Sequence, residues 1–345
     1  MNSPKARPAR NAIAAVLCAS ALSASAAAAQ EVVNVYSNRE PGQYSATLEE
    51  FTKVTGIKVN AIFSEQGLAE RIAAENGKSP ADVLITVDIG RLQQALDLKV
   101  TQPINSEVVY AAVPANLRDP DGGWTALSLR ARTIYAAKDR VKDTAMTYEG
   151  LADPRWKGKL CTRSFQHPYN LALTAAMIVK HGEADTKTWL EGVKANLAKR
   201  PSGGDRDVAK DIAAGICDVG LGNSYYIGLM LNGKNPEHQA WAREVRPILP
   251  TFEGGGTHVN VSGAVLAKNA PNRDNAVKLI EYMTSTSAQR VFADVNYEYP
   301  VRPGVPVNPL IASFGELKPD PMAMADVSRA RKRASELVDE VGFDR

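Results

Sequence analysis

Two adjacent tyrosines, Tyr225 and Tyr226, are the residues whose type and spacing most strongly suggest chemistry. They follow the short apolar segment Val219–Gly222 and precede an apolar stretch, which predicts a strand, a turn and then a helix. Phenol oxygens at such a turn are hard donors of the kind that trivalent metal ions prefer. A free phenol has a pKa of about 10, but a strongly acidic metal ion displaces its proton. Aromatic packing is the alternative that the pair alone leaves open.

Other candidate residues stand at the ends of other predicted strands. Tyr169 lies where a predicted strand, Lys159–Arg163, is followed by a helix, Asn170–His181. Arg39 and Glu40 follow the first predicted strand. Because open α/β sheets bind ligands at the carboxyl ends of their strands, we expect these segments to face one another across a single cleft.

Strands and helices alternate along the chain, which predicts an α/β fold with a mostly parallel first sheet covered on both faces. A second α/β unit follows the first. The long apolar segments Leu127–Ala137 and Val259–Ala267 are the natural places for the chain to cross between two lobes. We therefore predict that residues 30–129 with 262–345 form lobe 1 and residues 130–261 form lobe 2. The binding cleft is expected between them.

The first 29 residues have the pattern of a cleavable signal peptide, which predicts export to the periplasm. Three basic residues precede an apolar stretch of residues 12–22, and an alanine-rich cleavage signal precedes Gln30. The chain has 41 lysines and arginines against 38 acidic residues, so losing three basic residues leaves 38 of each sign. A neutral mature chain with no second long apolar run argues against nucleic acid binding and against membrane insertion.

Two cysteines follow the predicted signal peptide, Cys161 and Cys217. An even number of cysteines in an oxidising compartment favours a disulfide between them. Two buried thiols are the alternative.

Motifs that would indicate catalysis are absent from the sequence. It contains no phosphate-binding glycine motif, no G-x-S-x-G, no H-E-x-x-H and no C-x-x-C. The sequence therefore predicts a binding protein rather than an enzyme, and a secreted hydrolase with a scattered serine site is a remote alternative.

Several further segments accompany the tyrosines in a fixed order. They are Tyr36–Arg39, Ser79–Val83, Asp88–Leu92, Leu129–Arg132, Tyr148–Ala152, Trp156–Lys159, Gly203–Asp207, Gly222–Tyr226 and Gly256–Gly263. In these segments the chain resembles the ferric-ion-binding periplasmic proteins of ABC importers. The resemblance covers essentially all of the chain after the signal peptide.

The resemblance implies a two-lobed periplasmic-binding fold of the Venus-flytrap type that closes on Fe(3+). Tyr169, Tyr225 and Tyr226 would be the iron ligands. A synergistic anion such as carbonate could accompany the iron, and Asn223 matches a position that some members use around such an anion. The residues Arg39, Arg130 and Arg132 would then hold the anion or balance the tyrosinate charge.

The sequence departs from the family in one place. Several relatives carry a His-Tyr pair after the first arginine, whereas this chain has Glu40 followed by Pro41. Either the first lobe supplies no ligand, leaving carbonate or water to complete the shell, or Glu40 or Tyr44 supplies one. Arg39 could face the cleft or form a surface ion pair.

The expected function is therefore a monomeric carrier that captures ferric iron and delivers it to an ABC permease in the inner membrane. A binding protein of the same fold for another small ligand, such as an anion, polyamine or thiamine, is the alternative. His167 is expected to be a loop residue or to support a ligand. Asp88 and Asp205 are expected to cap the helices that follow them.

Overall fold

The computed structural model describes residues 31–345, together with Met1 and Ser3. Apart from those two residues, the predicted signal peptide lies outside the described residues. None of the helices within residues 31–345 is both long enough and apolar enough to cross a membrane.

Strands and helices alternate through the described chain as the sequence predicts. The strands are β1 Val32–Ser37, β2 Lys58–Phe63, β3 Val83–Thr86, β4 Thr101–Gln102, β5 Thr125–Ala137, β6 Leu160–Cys161, β7 Val219–Asn223, β8 Val245–Ile248, β9 Val259–Ala267 and β10 Tyr299–Pro300. The helices are α1 Ser45–Thr55, α2 Leu68–Ala74, α3 Ile89–Asp97, α4 Glu107–Ala112, α5 Pro168–His181, α6 Glu183–Ala195, α7 Asp205–Ala213, α8 Tyr225–Asn232, α9 Pro236–Arg243, α10 Arg273–Met283, α11 Thr286–Asn296, α12 Pro309–Ala312 and α13 Met324–Val341.

The strands pair in the order β2-β1-β3-β9-β5-β7-β6. β1 is parallel to β2 and β3, and β6 is parallel to β7. β9 runs antiparallel to β3 and β5, and β5 runs antiparallel to β7 and β8. The parallel arrangement expected for the first sheet is found in β1, β2 and β3, and it is wrong for β9 and β5, which join that sheet through antiparallel pairing. A buried strand is apolar in either direction, so its sequence does not show which way it runs.

β5 connects the two halves of the strand order. Its first half pairs with β9 and β10, and its second half pairs with β7 and β8. All of its residues are buried, including Arg130 and Arg132. Because a buried charge is tolerated only when it is paired and hydrogen-bonded, these two arginines require polar partners from the surrounding elements.

Helix starts place polar side chains at the strand ends. The Asp88 carboxylate accepts hydrogen bonds from the backbone N–H groups of Gly90 and Arg91, so its predicted role as the cap of α3 is confirmed. The corresponding expectation for Asp205 is wrong. Gly204 occupies the cap position of α7. The Asp205 side chain is buried and accepts hydrogen bonds from Arg132 and from the backbone N–H of Asn223.

Cys161 and Cys217 are joined by a disulfide with their Cα atoms 5.9 Å apart. Cys161 ends β6, and Cys217 lies shortly before β7, the parallel neighbour of β6. The bond therefore ties together the strands that lead to Tyr169 and to the Tyr225–Tyr226 pair.

Replacing both cysteines with alanine should lower the free energy of unfolding by about 4 kcal/mol, because a cross-link reduces the entropy of the unfolded chain. The two residues are 56 positions apart, so the loop they close is long. Urea unfolding of the purified protein and of the double variant measures the difference. Reductant should destabilise the wild type and leave the variant unchanged; equal stability of the two oxidised proteins would contradict the prediction.

Candidate functional site

A cavity of about 300 Å³ lies where the carboxyl ends of the central strands meet the starts of several helices. Residues from two groups of elements line it. They are Asn38, Glu40, Gln43, Phe63, Glu65, Val87, Asp88, Arg91, Arg130, Arg163, His167, Pro168, Tyr169, Tyr225 and Tyr226. Of the residues singled out from sequence, the cavity brings together the three tyrosines, Glu40, Asp88, Arg130 and His167.

The three tyrosines form one cluster. The phenol oxygens of Tyr169 and Tyr225 are 3.3 Å apart, and the ring centroids of Tyr225 and Tyr226 are 4.3 Å apart. Tyr225 is buried, whereas Tyr169 and Tyr226 are partly exposed. Burial, together with the neighbouring phenol of Tyr169, raises the pKa of both Tyr225 and Tyr226 above the ordinary value. These two phenols are therefore neutral at pH 7 unless a strong Lewis acid replaces their protons.

Guanidinium groups lie against the tyrosine rings. The Cζ atoms of Arg130 and Arg163 are 5.5 and 5.2 Å from the ring centroid of Tyr169. Arg206 Cζ is 4.7 Å from the ring centroid of Tyr226. A nearby cation favours the ionised form of a phenol, so this arrangement supports tyrosinate when a metal removes the proton. Sequence reasoning missed Arg163 and Arg206, although both flank the segments that carry candidate residues.

Arg132 holds these segments together from behind the tyrosines. Its Nη2 donates to Asn170 Oδ1 at 2.6 Å, and its Nη1 donates to Asp205 Oδ2 at 2.6 Å and to Asn223 Oδ1 at 3.0 Å. These partners lie at the start of α5, the start of α7 and the end of β7. Arg132 and Asn223 do not line the cavity, so their contacts position the tyrosine-bearing segments.

Asp205 neutralises this buried arginine. Its carboxylate also accepts from Arg163 Nη1 at 3.3 Å and from the backbone N–H of Asn223 at 2.8 Å. Burial alone would raise the pKa of Asp205, but Arg132 and Arg163 hold that pKa below the ordinary value. The carboxylate is thus ionised and fully partnered.

The opposite side of the cavity is formed by residues that follow β1 and by residues at the start of α3. Glu40 is exposed and lines the cavity together with Glu65 and Arg91. Sequence reasoning missed Glu65 and Arg91, and it assigned Asp88 only a capping role. Tyr44 does not line the cavity. Its ring is buried in the core, and burial raises the pKa of its phenol.

Arg39 forms neither a cavity wall nor a surface ion pair. Its side chain is 1% exposed, and its Nη2 lies 2.8 Å from Glu298 Oε2. Arg39 Nη1 also donates to Ser262 Oγ, which accepts from Arg130 as well. Arg39 and Arg130 therefore share two partners, Ser262 and Glu298, and these contacts help to fix the position of Arg130.

His167 lies beside Tyr169, and its ring nitrogen Nε2 is the atom that can donate a hydrogen bond. Its Nδ1 accepts the backbone N–H of Tyr169 at 3.2 Å, which leaves the proton of the neutral ring on Nε2. Burial and the nearby Arg163 lower the pKa of His167 to about 3, so the ring is neutral at pH 7. Within residues 31–345, no group of three His, Cys, Asp or Glu side chains could hold a metal ion. Apart from carboxylates and amides, the side-chain oxygen donors that line this cavity are the three phenols.

Comparisons with known proteins identify the family and agree with this fold. Residues 37–290 match the family described as bacterial extracellular solute-binding protein. The chain belongs to that family. This solute-binding protein is 42% identical over 321 residues to iron uptake protein A2 of Synechocystis sp., covering 92% of each chain.

Two solved structures show the same fold. The Bordetella ferric binding protein matches with a TM-score of 0.87 and 53% identity, over 91% of this chain and 100% of that one. A Trichodesmium protein solved in complex with iron and citrate matches with a TM-score of 0.87 and 42% identity, over 90% and 99% of the two chains. The two-lobed α/β solute-binding fold expected from the sequence is confirmed.

Replacing Arg132 with leucine should destabilise this solute-binding protein by about 3–5 kcal/mol, because it leaves the Asp205 carboxylate buried without its main partner. Urea unfolding checks the loss. The matched control is Arg155→Leu, which removes an exposed arginine paired with Asp143 and should cost no more than about 1 kcal/mol. Equal losses in the two variants would show that the buried network contributes no more than a surface ion pair.

His258 should make folding stability depend on pH. It is buried before β9, neither ring nitrogen has a partner among the described residues, and burial with Arg132 lowers its pKa to about 3. The unfolded chain binds a proton near pH 6.5 and the folded chain does not. The free energy of unfolding is therefore unaffected by protonation of His258 above that pH, and it decreases as the pH falls from 6.5 toward 3.

The change from pH 7 to pH 5 should cost about 2 kcal/mol through this residue. Urea unfolding of wild type and His258→Leu at both pH values isolates the contribution, since His167 is common to both proteins. His238→Asn, which changes a partly exposed histidine of α9, is the control. The prediction is contradicted if His258→Leu loses as much stability on acidification as the wild type does.

Proposed function

We propose that this solute-binding protein captures ferric iron in the cavity and delivers it to an ABC import permease in the inner membrane. The observation that carries the proposal is the convergence of three phenol oxygens, from the starts of α5 and α8, in one cavity. The names of the relatives, an iron uptake protein and a ferric binding protein, support the same cargo. The family description as a solute-binding protein supports transport as the function.

Tyr169, Tyr225 and Tyr226 are the proposed iron ligands. Three tyrosinates offset the charge of Fe(3+), and hard anionic oxygens favour the ferric ion over the ferrous one. Arg130, Arg163 and Arg206 lie against the tyrosine rings and lower the cost of ionising the phenols.

The remaining coordination positions are proposed to be filled by an anion such as carbonate or by water. Arg91, Arg130 and Arg163 line the cavity and supply N–H donors for an anion. The carboxylates of Glu40, Glu65 and Asp88 line it too. Among the first-lobe candidates from sequence, Glu40 retains access to the cavity and Tyr44 does not. Glu40 is therefore the protein ligand to test from that side.

The proposed lobes are residues 30–129 with 262–345, and residues 130–261. β5 and β9 cross between them, and rotation about these strands would close the tyrosine side of the cavity onto the Glu40 side. α13 belongs to the first lobe in this division, yet it packs mainly against α5 and also against α3 and α6. It therefore contacts elements on both sides of the cavity.

The proposed working form is a periplasmic monomer exported through the signal peptide of residues 1–29. The iron-loaded, closed form would dock on the permease, whose ATPase supplies the energy for import. The family description as an extracellular solute-binding protein supports this arrangement.

The visible absorption spectrum tests the metal and its ligands together. Ferric citrate added to wild-type protein should produce a tyrosinate-to-iron charge-transfer band, which Tyr225→Phe or Tyr226→Phe should weaken or shift. Losing one ligand should lower iron affinity in citrate competition by at least about 100-fold, by analogy with other losses around metal sites. Tyr110→Phe, which alters a tyrosine bonded to the Ile104 carbonyl away from the cavity, should behave as wild type.

A spectrum without a band at saturating iron would sink the iron assignment. The arginine-lined cavity would then favour a small anion, the second candidate. A thermal-shift screen of phosphate, phosphonates and dicarboxylates would identify that class of ligand.

Iron binding should release protons, because phenols must ionise to coordinate the metal. Citrate takes up protons when it releases the iron, equally for every protein, so we compare proteins and expect about one proton fewer per iron from each single Tyr→Phe variant at the cluster than from the wild type. Titration with ferric citrate in a weakly buffered solution containing a pH indicator measures the release, with citrate alone as the blank. Equal proton release from wild type and Tyr226→Phe would exclude Tyr226 as a tyrosinate ligand.

A further inference from the structure

The end of the chain is bonded to the segment that leads into Tyr169. The Asp344 carboxylate accepts hydrogen bonds from Ser164 Oγ at 2.7 Å, from the backbone N–H of Phe165 at 2.9 Å and from that of Gln166 at 3.1 Å. One carboxylate thus satisfies a hydroxyl and two consecutive backbone donors. Hydrogen bonds to an ionised acceptor are about twice as strong as neutral ones.

Other contacts from the same end of the chain hold the same segment. The ring centroids of Phe343 and Phe165 are stacked 3.9 Å apart. Gln166 and Ser335 exchange two hydrogen bonds, since Gln166 Nε2 donates to the Ser335 carbonyl and Ser335 Oγ donates to Gln166 Oε1. The segment of residues 164–166 is therefore docked on α13 and the residues after it.

The docked segment sets the start of α5. The backbone N–H of His167 donates to the Ser164 carbonyl, and the His167 ring accepts the N–H of Tyr169. A shift of residues 164–166 would rotate the first turn of α5. The Tyr169 oxygen would then move away from Tyr225, which it contacts at 3.3 Å.

The other end of α13 reaches the opposite side of the cavity. Arg331 Nη1 pairs with Asp88 Oδ1 at 2.5 Å, and Ser328 Oγ donates to Gln93 Oε1 at 2.8 Å. Asp88 caps α3 and lines the cavity. One helix is thus anchored to the cavity wall that carries Asp88 and to the turn that precedes Tyr169.

We propose that Asp344 is a positioning residue for iron capture. It fixes the turn of residues 164–166 on the end of α13, so that the Tyr169 phenol is held beside Tyr225 before the metal arrives. This inference rests on the proposed ferric-iron function and adds to it a residue that never touches the metal.

The first test compares Asp344→Asn with Asp339→Asn. Both variants remove one negative charge near the end of α13, but the Asp339 side chain is exposed and has no hydrogen bond or ion pair to any described residue. Asparagine at 344 keeps the size and leaves one acceptor oxygen for three donors. Asp344→Asn should weaken ferric binding by about 10- to 100-fold and shift the charge-transfer band, as loss of groups that orient metal ligands does. Asp339→Asn should match the wild type.

The second test combines Asp344→Asn with Tyr169→Phe. If Asp344 acts through Tyr169, it should cause no further loss of ferric affinity once the Tyr169 oxygen is gone. A general loss of folding stability would instead lower affinity by the same factor in both backgrounds. Additive losses would therefore overturn the positioning role.

If Asp344→Asn does not fold, Ser164→Ala removes one of the three donors and is compared with Ser313→Ala, an exposed serine of similar chemistry. A loss of ferric affinity confined to Ser164→Ala supports the proposal, and equal affinity overturns it. If wild type and Asp339→Asn also fail to give a ferric band, the proposed function and this inference fail together. A normal band in wild type, Asp339→Asn and Asp344→Asn alike overturns the inference alone.

Discussion

The buried Arg132 guanidinium is the interaction on which the tyrosine side of the cavity depends. It lies in the middle of β5, and its partners come from the start of α5, the start of α7 and the end of β7. Leaving this buried charge unpaired would destabilise the folded state by several kcal/mol. The folded state therefore depends on these three segments meeting at Arg132. Two of those segments lead directly into the tyrosines. The requirement to satisfy one charge thereby also places Tyr169, Tyr225 and Tyr226 together.

The cavity combines two opposing effects on its phenols. Burial raises the pKa of Tyr225 and Tyr226, which keeps these side chains protonated at neutral pH in the absence of a metal. The nearby arginines favour the ionised form, so they reduce the binding free energy that a metal must supply to displace the protons. A weakly acidic divalent ion gains little from such a site, whereas a trivalent ion gains both charge neutralisation and hard donors. The proposed preference for ferric iron would therefore follow from the difficulty of ionising the ligands.

Much of this arrangement could be predicted from sequence, because strand ends are marked by changes in hydrophobic pattern. That pattern predicted the extent of β9 and located the tyrosines near helix starts. It could not give strand direction, nor which of several buried arginines would reach the cavity. Arg39 follows a strand end, yet its side chain is buried and pairs with Glu298. Asp205 does not cap α7 and pairs with Arg132 instead. Both outcomes depend on partners far away in the chain.

The disulfide between Cys161 and Cys217 has a consequence for the timing of assembly. It fastens β6 to the chain just before β7, and these two strands lead into the segments that carry the tyrosine ligands proposed here. Such bonds form in oxidising compartments and are rare in a reducing cytosol. A chain still on the cytosolic side therefore lacks the cross-link that holds the two halves of the tyrosine cluster in register. For the exported carrier proposed above, formation of this cross-link would therefore precede cargo loading.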